Sequence, residues 1–345
     1  MKLKAVDLFS GCGGLTLGLT QGGFRVLAAI EIDPLAVETY KANHKRVVVW
    51  EKDIRRISAV EFMRRMKTRR GQLDLLAGCP PCQGFSAMTT RNGHHKPDDK
   101  RNDLVFHFLR FVRVLRPKAV MMENVPGLAR DQRLPKIVAA LERMGYQVTK
   151  AVLNASKYGV PQRRKRFILL AAVKGRIDYS PPARRTRTVR QAFEDLYKVN
   201  PRGDPLQNLR EIRDKRVSAL IRRIPKDGGS RTDLPPKWQL KCHKECDGFR
   251  DVYGRMSWDD VAPTITSGCI NPSKGRFLHP EKNRAINLRE AAVLQGFPPK
   301  YIFPLTRGKY AVAQMLGNAV PPPFSRMQAA AIWAFLEKTR PQPDP

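Results

Sequence analysis

The chain is predicted to be an α/β protein, built on a doubly wound, mostly parallel sheet and carrying a second, smaller and irregular domain. Three observations predict this. Short apolar runs alternate with amphipathic stretches through the first half, the pattern of strands each followed by a covering helix. Beyond residue 180 the composition turns rich in Arg, Pro and Gly, and the period becomes hard to assign. Finally, 345 residues at 42% hydrophobic content are enough for one large core and a smaller domain.

The predicted strands cover residues 3–9, 25–30, 47–50, 73–77 and 119–122, followed by 146–153 and 167–172. Between the first five lie amphipathic stretches at 15–21, 34–43, 59–67 and 104–115, which supply helices for both faces of the sheet. Ser180-Pro181-Pro182 opens the irregular region. Helical pattern returns at 287–295 and at 324–338, the latter after Pro321-Pro322-Pro323, a run suited to a helix entrance. The expected domains are therefore 1–180, 181–283 and a segment 284–340 that packs back on the first, with 341–345 a disordered Pro-rich end.

Lys and Arg number 64 against 31 Asp and Glu, a net charge of +33, which is the electrostatic footprint of a polyanion binder. The charge is dispersed. Residues 181–283 hold 22 basic and 13 acidic side chains, leaving +24 for the remainder, so the pattern suits a cleft with basic walls on two domains or simply an Arg-rich proteome. No apolar run approaches the roughly 20 residues of a spanning helix, and residues 1–4 lead straight into a strand, so a membrane partner is not expected. Six cysteines without a signal peptide are expected to be reduced thiols in a cytoplasmic protein.

The strand ends carry the chemistry. Asp7-Leu8-Phe9-Ser10-Gly11-Cys12-Gly13-Gly14 follows the first strand, and Gly11 and Gly13 let the backbone approach a ligand, although such a turn can also be only a tight connection. Glu31, at the end of the second strand, lies 20 residues after Gly11, the spacing at which a carboxylate accepts hydrogen bonds from ribose hydroxyls. Asp53-Ile54 ends the third strand and suits the exocyclic amine of an adenine held between apolar side chains such as Phe9 and Ile32. There is no Walker-type lysine, and the glycine run lacks the full dinucleotide spacing, so S-adenosylmethionine fits better than ATP or NAD.

After the fourth strand comes Gly78-Cys79-Pro80-Pro81-Cys82-Gln83-Gly84-Phe85-Ser86, a rigid loop that holds a thiol at the carboxyl edge of the sheet. Taken alone, Cys79-x-x-Cys82 is compatible with a redox pair or half of a zinc site, but neither a small thioredoxin-like context nor two further ligands are evident.

Together with Glu123-Asn124-Val125, Gln162-Arg163-Arg164-Lys165-Arg166, Arg284 to Pro298 and Gln314-Met315-Leu316-Gly317-Asn318-Ala319-Val320, these blocks make the chain resemble the bacterial-type DNA (cytosine-5) methyltransferases over nearly its whole length. The resemblance implies a Rossmann-like S-adenosylmethionine-dependent methyltransferase fold with a target-recognition domain. It implies Cys82 as the thiol that adds to cytosine C6, and Glu123 as the acid at N3. Arg164 and Arg166 are implied to hold the base oxygen and nearby polar groups. Phe9, Gly11, Gly13, Glu31, Ile32, Asp53, Ile54, Pro80, Asn318 and Val320 are the implied cofactor contacts, while Cys12 and Cys79 read as packing residues.

A duplex buries the reacting face of cytosine, so such an enzyme extrudes the base. Gln83 and Ser86 are expected beside the flipped nucleotide. Within 181–283, Arg184, Arg185, Arg187, Arg222, Arg223 and Arg255 are candidate contacts to double-stranded DNA, reading bases or touching phosphates. Trp258 reads as core rather than a stacking residue, and Cys242-His243 with Cys246 lacks an obvious fourth metal ligand. The implied protein is a nucleoid-associated prokaryotic monomer, with any cognate restriction endonuclease acting on the same site without direct binding. An RNA-directed methyltransferase and an inactive DNA-binding scaffold are the alternatives.

Overall fold

The computed structural model describes residues 2–81, 103–199, 203–209, 211–238 and 250–340. Cys82, Gln83, Ser86, Cys242, His243, Cys246 and the 341–345 tail lie outside the described residues. The chain divides into two compact units. The first comprises Met1–Ala155, Lys165–Pro182 and Pro322–Pro345, and the second Ser156–Arg164 and Ala183–Pro321. Residues 284–321 thus belong with the second unit, and only the final helix with the first.

In the first unit, β1 (Lys4–Leu8), β2 (Arg25–Glu31), β3 (Val48–Glu51), β4 (Leu75–Gly78) and β5 (Ala119–Asn124) are joined through helices α1 (Gly14–Gln21), α2 (Pro34–Asn43), α3 (Ala59–Arg65) and α4 (Leu104–Leu115). Helix α5 (Arg133–Arg143) then leads to β6 (Gln147–Asn154) and β7 (Lys165–Ala172). The sheet order is β3-β2-β1-β4-β5-β7-β6. The first five strands are mutually parallel, whereas β7 runs antiparallel to β5 and to β6. The ten residues between β6 and β7 form a 3-10 turn, Ala155–Tyr158, and an extended stretch rather than a crossover helix, and β7 returns antiparallel between β5 and β6.

The central strands are buried on both faces, as in a sheet covered by helices on each side: every residue of β4 and β5 is buried. Edge strand β6, by contrast, is a mixture of half-buried and exposed positions. Local signals agree with this arrangement. Asp33 accepts a hydrogen bond from Leu35 N and Pro34 occupies the first helical position, so α2 starts where its cap dictates. One face of the sheet packs on Phe62, Phe108 and Phe111, with Phe62 and Phe111 edge-to-face at 5.5 Å. Each such buried ring contributes about 1.5–3 kcal/mol.

The last helix, α10 (Pro322–Lys338), lies against α1. Gly18 makes that approach feasible, because a Cβ there would sit 1.9 Å from Ser325 Oγ and 2.7 Å from both Arg326 N and Pro322 O.

The second unit forms no strand among its described residues, only isolated bridges such as Gln162↔Ala262 and Arg255↔Leu278. Its helices are α6 (Val189–Val199), α7 (Lys215–Arg223), α8 (Leu288–Leu294) and α9 (Gly308–Asn318). A small cluster of Leu220, Ile221, Ile224, Leu234, Val252, Tyr253 and Leu278 forms part of its interior.

Candidate active site

Parallel strands place their carboxyl ends along one edge of the sheet, and the predicted groups of the first unit gather there. The loop after β1 turns through Phe9 (φ 59°), Gly11 (φ 52°) and Gly13 (φ 91°). Glu31 at the end of β2 anchors it: Gly11 N donates to Oε2 at 2.7 Å, while Ile32 N and Asp33 N donate to Oε1 at 2.8 and 2.9 Å. A Cβ on Gly11 would meet nothing within 4 Å, so the loop faces open space at that point. Beside it Ile32 is 60% exposed, an apolar surface unusual at a strand end.

Asp53 follows β3. Its carboxylate caps the next turn through Arg55 N and is gripped by the Arg55 guanidinium, with Nε 2.9–3.0 Å from its two oxygens. That hydrogen bond holds the carboxyl below its ordinary range. Arg55 is exposed and Asp53 half-buried, so in this arrangement the expected adenine acceptor is occupied by a mobile type of partner. Ile54 turns its side chain into the core, leaving its backbone at the strand end. Arg110 of α4, which the sequence did not single out, donates to Ile54 O and Ile57 O at 2.6 and 2.7 Å and fixes this turn.

Beneath the glycine loop, Asp7 is wholly buried. Thr16 Oγ1 donates to its Oδ2 at 2.7 Å and lies 2.7 Å from Tyr40 Oη, whereas Oδ1 has no partner among the described residues. Burial pushes the Asp7 carboxyl up to about 7. Cys12 is buried nearby and its thiol is pushed up to about 12, mainly by desolvation, as expected of an inert packing residue.

At the ends of β4 and β5, Asn124 Nδ2 donates to Pro80 O at 2.9 Å, while Asn124 Oδ1 accepts from Val125 N. The side chain therefore staples the approach to residue 82 onto β5. Glu123, the neighbouring residue, is 6% exposed and pairs with Arg166 of β7, Oε1 to Nε at 2.9 Å. The antiparallel register sets Glu123 opposite Ile168, two residues from Arg166 on the same strand face. Cys79 is half-buried beside this pair and hydrogen-bonds Glu123. Burial first, and Glu123 second, push its thiol well above the usual range. It is thus more than filler: it contacts the candidate acid.

Arg164 corrects an expectation. Its side chain is 1% exposed, with Nη1 donating to Ile265 O at 2.9 Å and Nη2 to Gly317 O and Ala319 O at 2.6 and 3.2 Å. A guanidinium committed to these carbonyls positions backbone rather than holding a base. Gln162 joins the same knot, accepting from Ile265 N and donating to Leu294 O and Gln295 Oε1, while Gln295 donates to Ala319 O. Four of the separated sequence blocks are tied together this way inside the second unit. Asn318 ends α9 and Val320 is buried, both in this unit.

Arg255 is a second correction. It is fully buried, and its guanidinium donates to Ile221 O, Ile224 O, His279 O and Lys282 O and to Asn283 Oδ1. It cannot also reach DNA. Of the other candidates, Arg184, Arg185 and Arg222 are exposed. Arg187 pairs with Asp195 at 2.6 Å, and Arg223 lies 3.5 Å over the Trp238 ring. Trp258 packs edge-on against the stacked Phe193 and His279 rings with Arg190 over its ring, in keeping with a framework role. No metal-binding cluster occurs among the described residues. Nor is any helix among them long and apolar enough to cross a membrane.

A mixed seven-stranded sheet with carboxylates at successive strand ends and an acid paired to a guanidinium at the fifth defines the class of Rossmann-like methyltransferases. The chain belongs to the C-5 cytosine-specific DNA methylase family, whose profile matches residues 3–333. It is 38% identical to the Type II methylase M.HgiDII of Herpetosiphon aurantiacus, covering 96% of this chain and 95% of that one. To the Type II methyltransferase M1.HphI of Haemophilus parahaemolyticus it is 34% identical, covering 96% and 87%. Among solved structures it resembles a putative DNA modification methyltransferase encoded within an E. coli prophage, with a TM-score of 0.70 and 26% identity over 97% of this chain and 99% of that one.

Proposed function

We propose that this DNA (cytosine-5) methyltransferase takes S-adenosylmethionine at the β1–β3 strand ends and modifies a flipped-out cytosine in a specific duplex sequence, as the methylase of a restriction-modification system. The observation that carries the reading is the buried Glu123–Arg166 pair. It lies beside the Asn124–Pro80 staple, two residues before Cys82.

The cofactor fits the residues present. Gly11 faces open space, Glu31 ends β2 at the height suited to ribose hydroxyls, and Ile32 offers an exposed apolar face to an adenine, with Phe9 and Gly13 shaping the loop. Asp53 reads the exocyclic amine once Arg55 swings aside, and Ile54 N and Pro80 complete the proposed contacts of this unit. Bound there, S-adenosylmethionine supplies the electrophilic methyl group.

The remaining work belongs to the chain. Cys82 adds its thiolate sulfur to C6, and the electron density gained makes C5 nucleophilic. Glu123 gives a hydrogen bond or proton at N3, which makes that addition easier. Arg166, held by Glu123, faces the base oxygen and favours the thiolate and the charge that develops. Arg164 acts as a positioning residue. Loss of the C5 proton and of the Cys82 thiolate then frees 5-methylcytosine. Gln83 and Ser86 flank the flipped nucleotide, and Arg184, Arg185 and Arg222 supply contacts to duplex DNA, aided by Arg187 and Arg223.

Bisulfite sequencing of host DNA expressing the protein tests this. Methylation confined to one cytosine of a short recurring sequence is expected, lost in Cys82→Ala while S-adenosylmethionine binding, measured by calorimetry, is retained. Absence of 5-methylcytosine from DNA, or modification of transfer RNA alone, would overturn the reading.

A further inference from the structure

The proposed reaction leaves unexplained a basic cleft along the outer edge of the first unit's sheet. A cavity of about 720 Å³ runs along edge strand β3 to the beginning of β2 and the end of α3. Five cations line it, Arg25, Arg46, Lys52, Arg65 and Lys67, against one carboxylate, Glu51, which Lys41 already faces at 3.4 Å. All five are exposed, although Arg65 also pairs with Glu61 at 2.7 Å. Trp50 forms part of the wall, packed on Phe62 from one side and with the Arg65 guanidinium 5.3 Å from its ring centroid. Val48 on the same strand is 56% exposed.

Only the carboxyl end of the cleft adjoins the proposed cofactor residues, since Glu51 pairs with Glu31 across the strands and Lys52 N donates to Glu31 O at 3.0 Å; its other end, with Arg25, Arg46 and Lys67, takes no part in the proposed reaction. Arg25 starts β2 and Glu31 ends it, so the two are about 20 Å apart along the strand. Glu123 lies three strands further across the sheet, about 14 Å in the perpendicular direction.

We infer that this cleft is a second nucleic-acid contact, holding the phosphate backbone of a DNA segment other than the one that presents the cytosine. Charge complementarity selects the occupant. Four or five phosphates would neutralise what the cleft's own carboxylate does not, and an aromatic wall beside guanidinium groups suits a sugar-phosphate chain irrespective of its sequence. A second copy of this chain, at +33, would bring like charge to the cleft. The DNA-directed reading above supplies the identity of the polyanion, and the geometry supplies the place. Contact of this kind would let the enzyme keep hold of DNA while the catalytic edge searches, which is how non-specific electrostatic binding permits sliding and transfer.

The test uses a duplex of adenine and thymine only, so that methylation cannot enter the measurement. Binding of the full chain is followed across a salt series for wild type, for Arg25→Glu/Arg46→Glu/Lys67→Glu, and for a matched charge control, Lys174→Glu/Arg176→Glu/Lys338→Glu. The cleft variant is expected to lose at least about tenfold in affinity near 0.1 M salt. Its plot of log K against log salt should become shallower by about 2–3, close to 0.9 for each phosphate contact removed. The control should move neither by as much, and methylation at saturating substrate DNA should be unchanged in both. Equal losses in cleft variant and control would overturn the proposal, since only net charge would then matter. A parallel fall in turnover at saturating DNA would place the cleft in the substrate groove instead. Altered self-association with unchanged DNA binding would assign it to a second copy.

Discussion

The two units solve the same problem, burying a polypeptide's polar backbone, by different means. The first satisfies its amides in a seven-stranded ladder and can leave charged side chains at the strand ends for chemistry. The second, without a strand among its described residues, satisfies carbonyls with arginine and glutamine side chains: Arg255 alone serves four of them, and Arg164 three. Arginine as a carbonyl scaffold is thus most developed in the second unit, at Arg255 and Arg164. In the first unit, where the sheet carries most of the backbone, Arg166 pairs with the Glu123 carboxylate, although Arg110 there also ties down two carbonyls of the turn after β3. Where no sheet exists, buried carbonyls still need donors, and at Arg255 and Arg164 the guanidinium supplies them.

The most damaging way to probe this contrast is Arg255→Ala. Each buried acceptor left without a donor costs about 1–3 kcal/mol, so several such losses exceed what a small irregular unit can spare. The second unit is expected to become sensitive to limited proteolysis and to lose its own cooperative urea transition, while the first keeps its secondary structure. Arg255→Lys should not rescue it, because one ammonium cannot span five acceptors. Arg222→Ala, at an exposed site on the neighbouring helix, should change stability by less than about 0.5 kcal/mol. If Arg255→Ala folds as well as wild type, the scaffold role is wrong.

In the first unit the corresponding variant should behave otherwise. Arg166→Ala is expected to lower methyl transfer by about 10²–10³-fold, the scale for losing one oriented donor to developing charge. It also strands Glu123 as a buried, unpaired carboxylate, which adds a stability loss. Adding Glu123→Gln removes that carboxylate. The double variant should therefore regain thermal stability without regaining activity. Recovery of turnover along with stability would make Arg166 a structural residue like Arg164.

The strand ends of the first unit were legible because each carries an acid or thiol at a spacing that a parallel sheet converts into proximity: Gly11 and Glu31, 20 residues apart in sequence, are directly bonded. The direction of the last strands, with β7 alone reversed and lying between β5 and β6, depends on the long-range pairing of β7 with both, which no local window reports. What could not be read was the use of individual arginines. Arg164 and Arg166 stand two residues apart in one motif, yet one ends among carbonyls and the other beside a carboxylate, because the chain passes from the second unit to the first between them. Arg255 looked like any other basic residue of a DNA-binding region, and nothing in a local window reports five distant acceptors. Asn124 and Arg110 escaped for the same reason, since each acts on a backbone atom more than 40 residues away.

The two units should also answer to pH in opposite directions. In the first, buried Asp7 is pushed up to about 7 from its ordinary 3.8, so the folded state binds a proton more tightly than the unfolded one. Its contribution is full below about pH 3.8 and is lost as pH rises towards 7. In the second, His279 is pulled down to about 4 from 6.5 by burial, with Arg284, Lys282 and Arg255 acting in the same direction and Glu290 against them. The geometry agrees: Nδ1 accepts from Glu281 N and Lys282 N, both at 3.0 Å, which leaves no room for a proton there. Its neutral form is favoured in the fold, so stability is intact above about pH 6.5 and is lost as pH falls towards 4. Each effect is on the order of 3–4 kcal/mol at most. Urea transitions of Asp7→Asn should show less loss between pH 4 and 7 than wild type, and those of His279→Gln less loss on acidification from 6.5 to 4. Were both variants to shift the same limb of the pH profile, the assignment of one titration to each unit would fail.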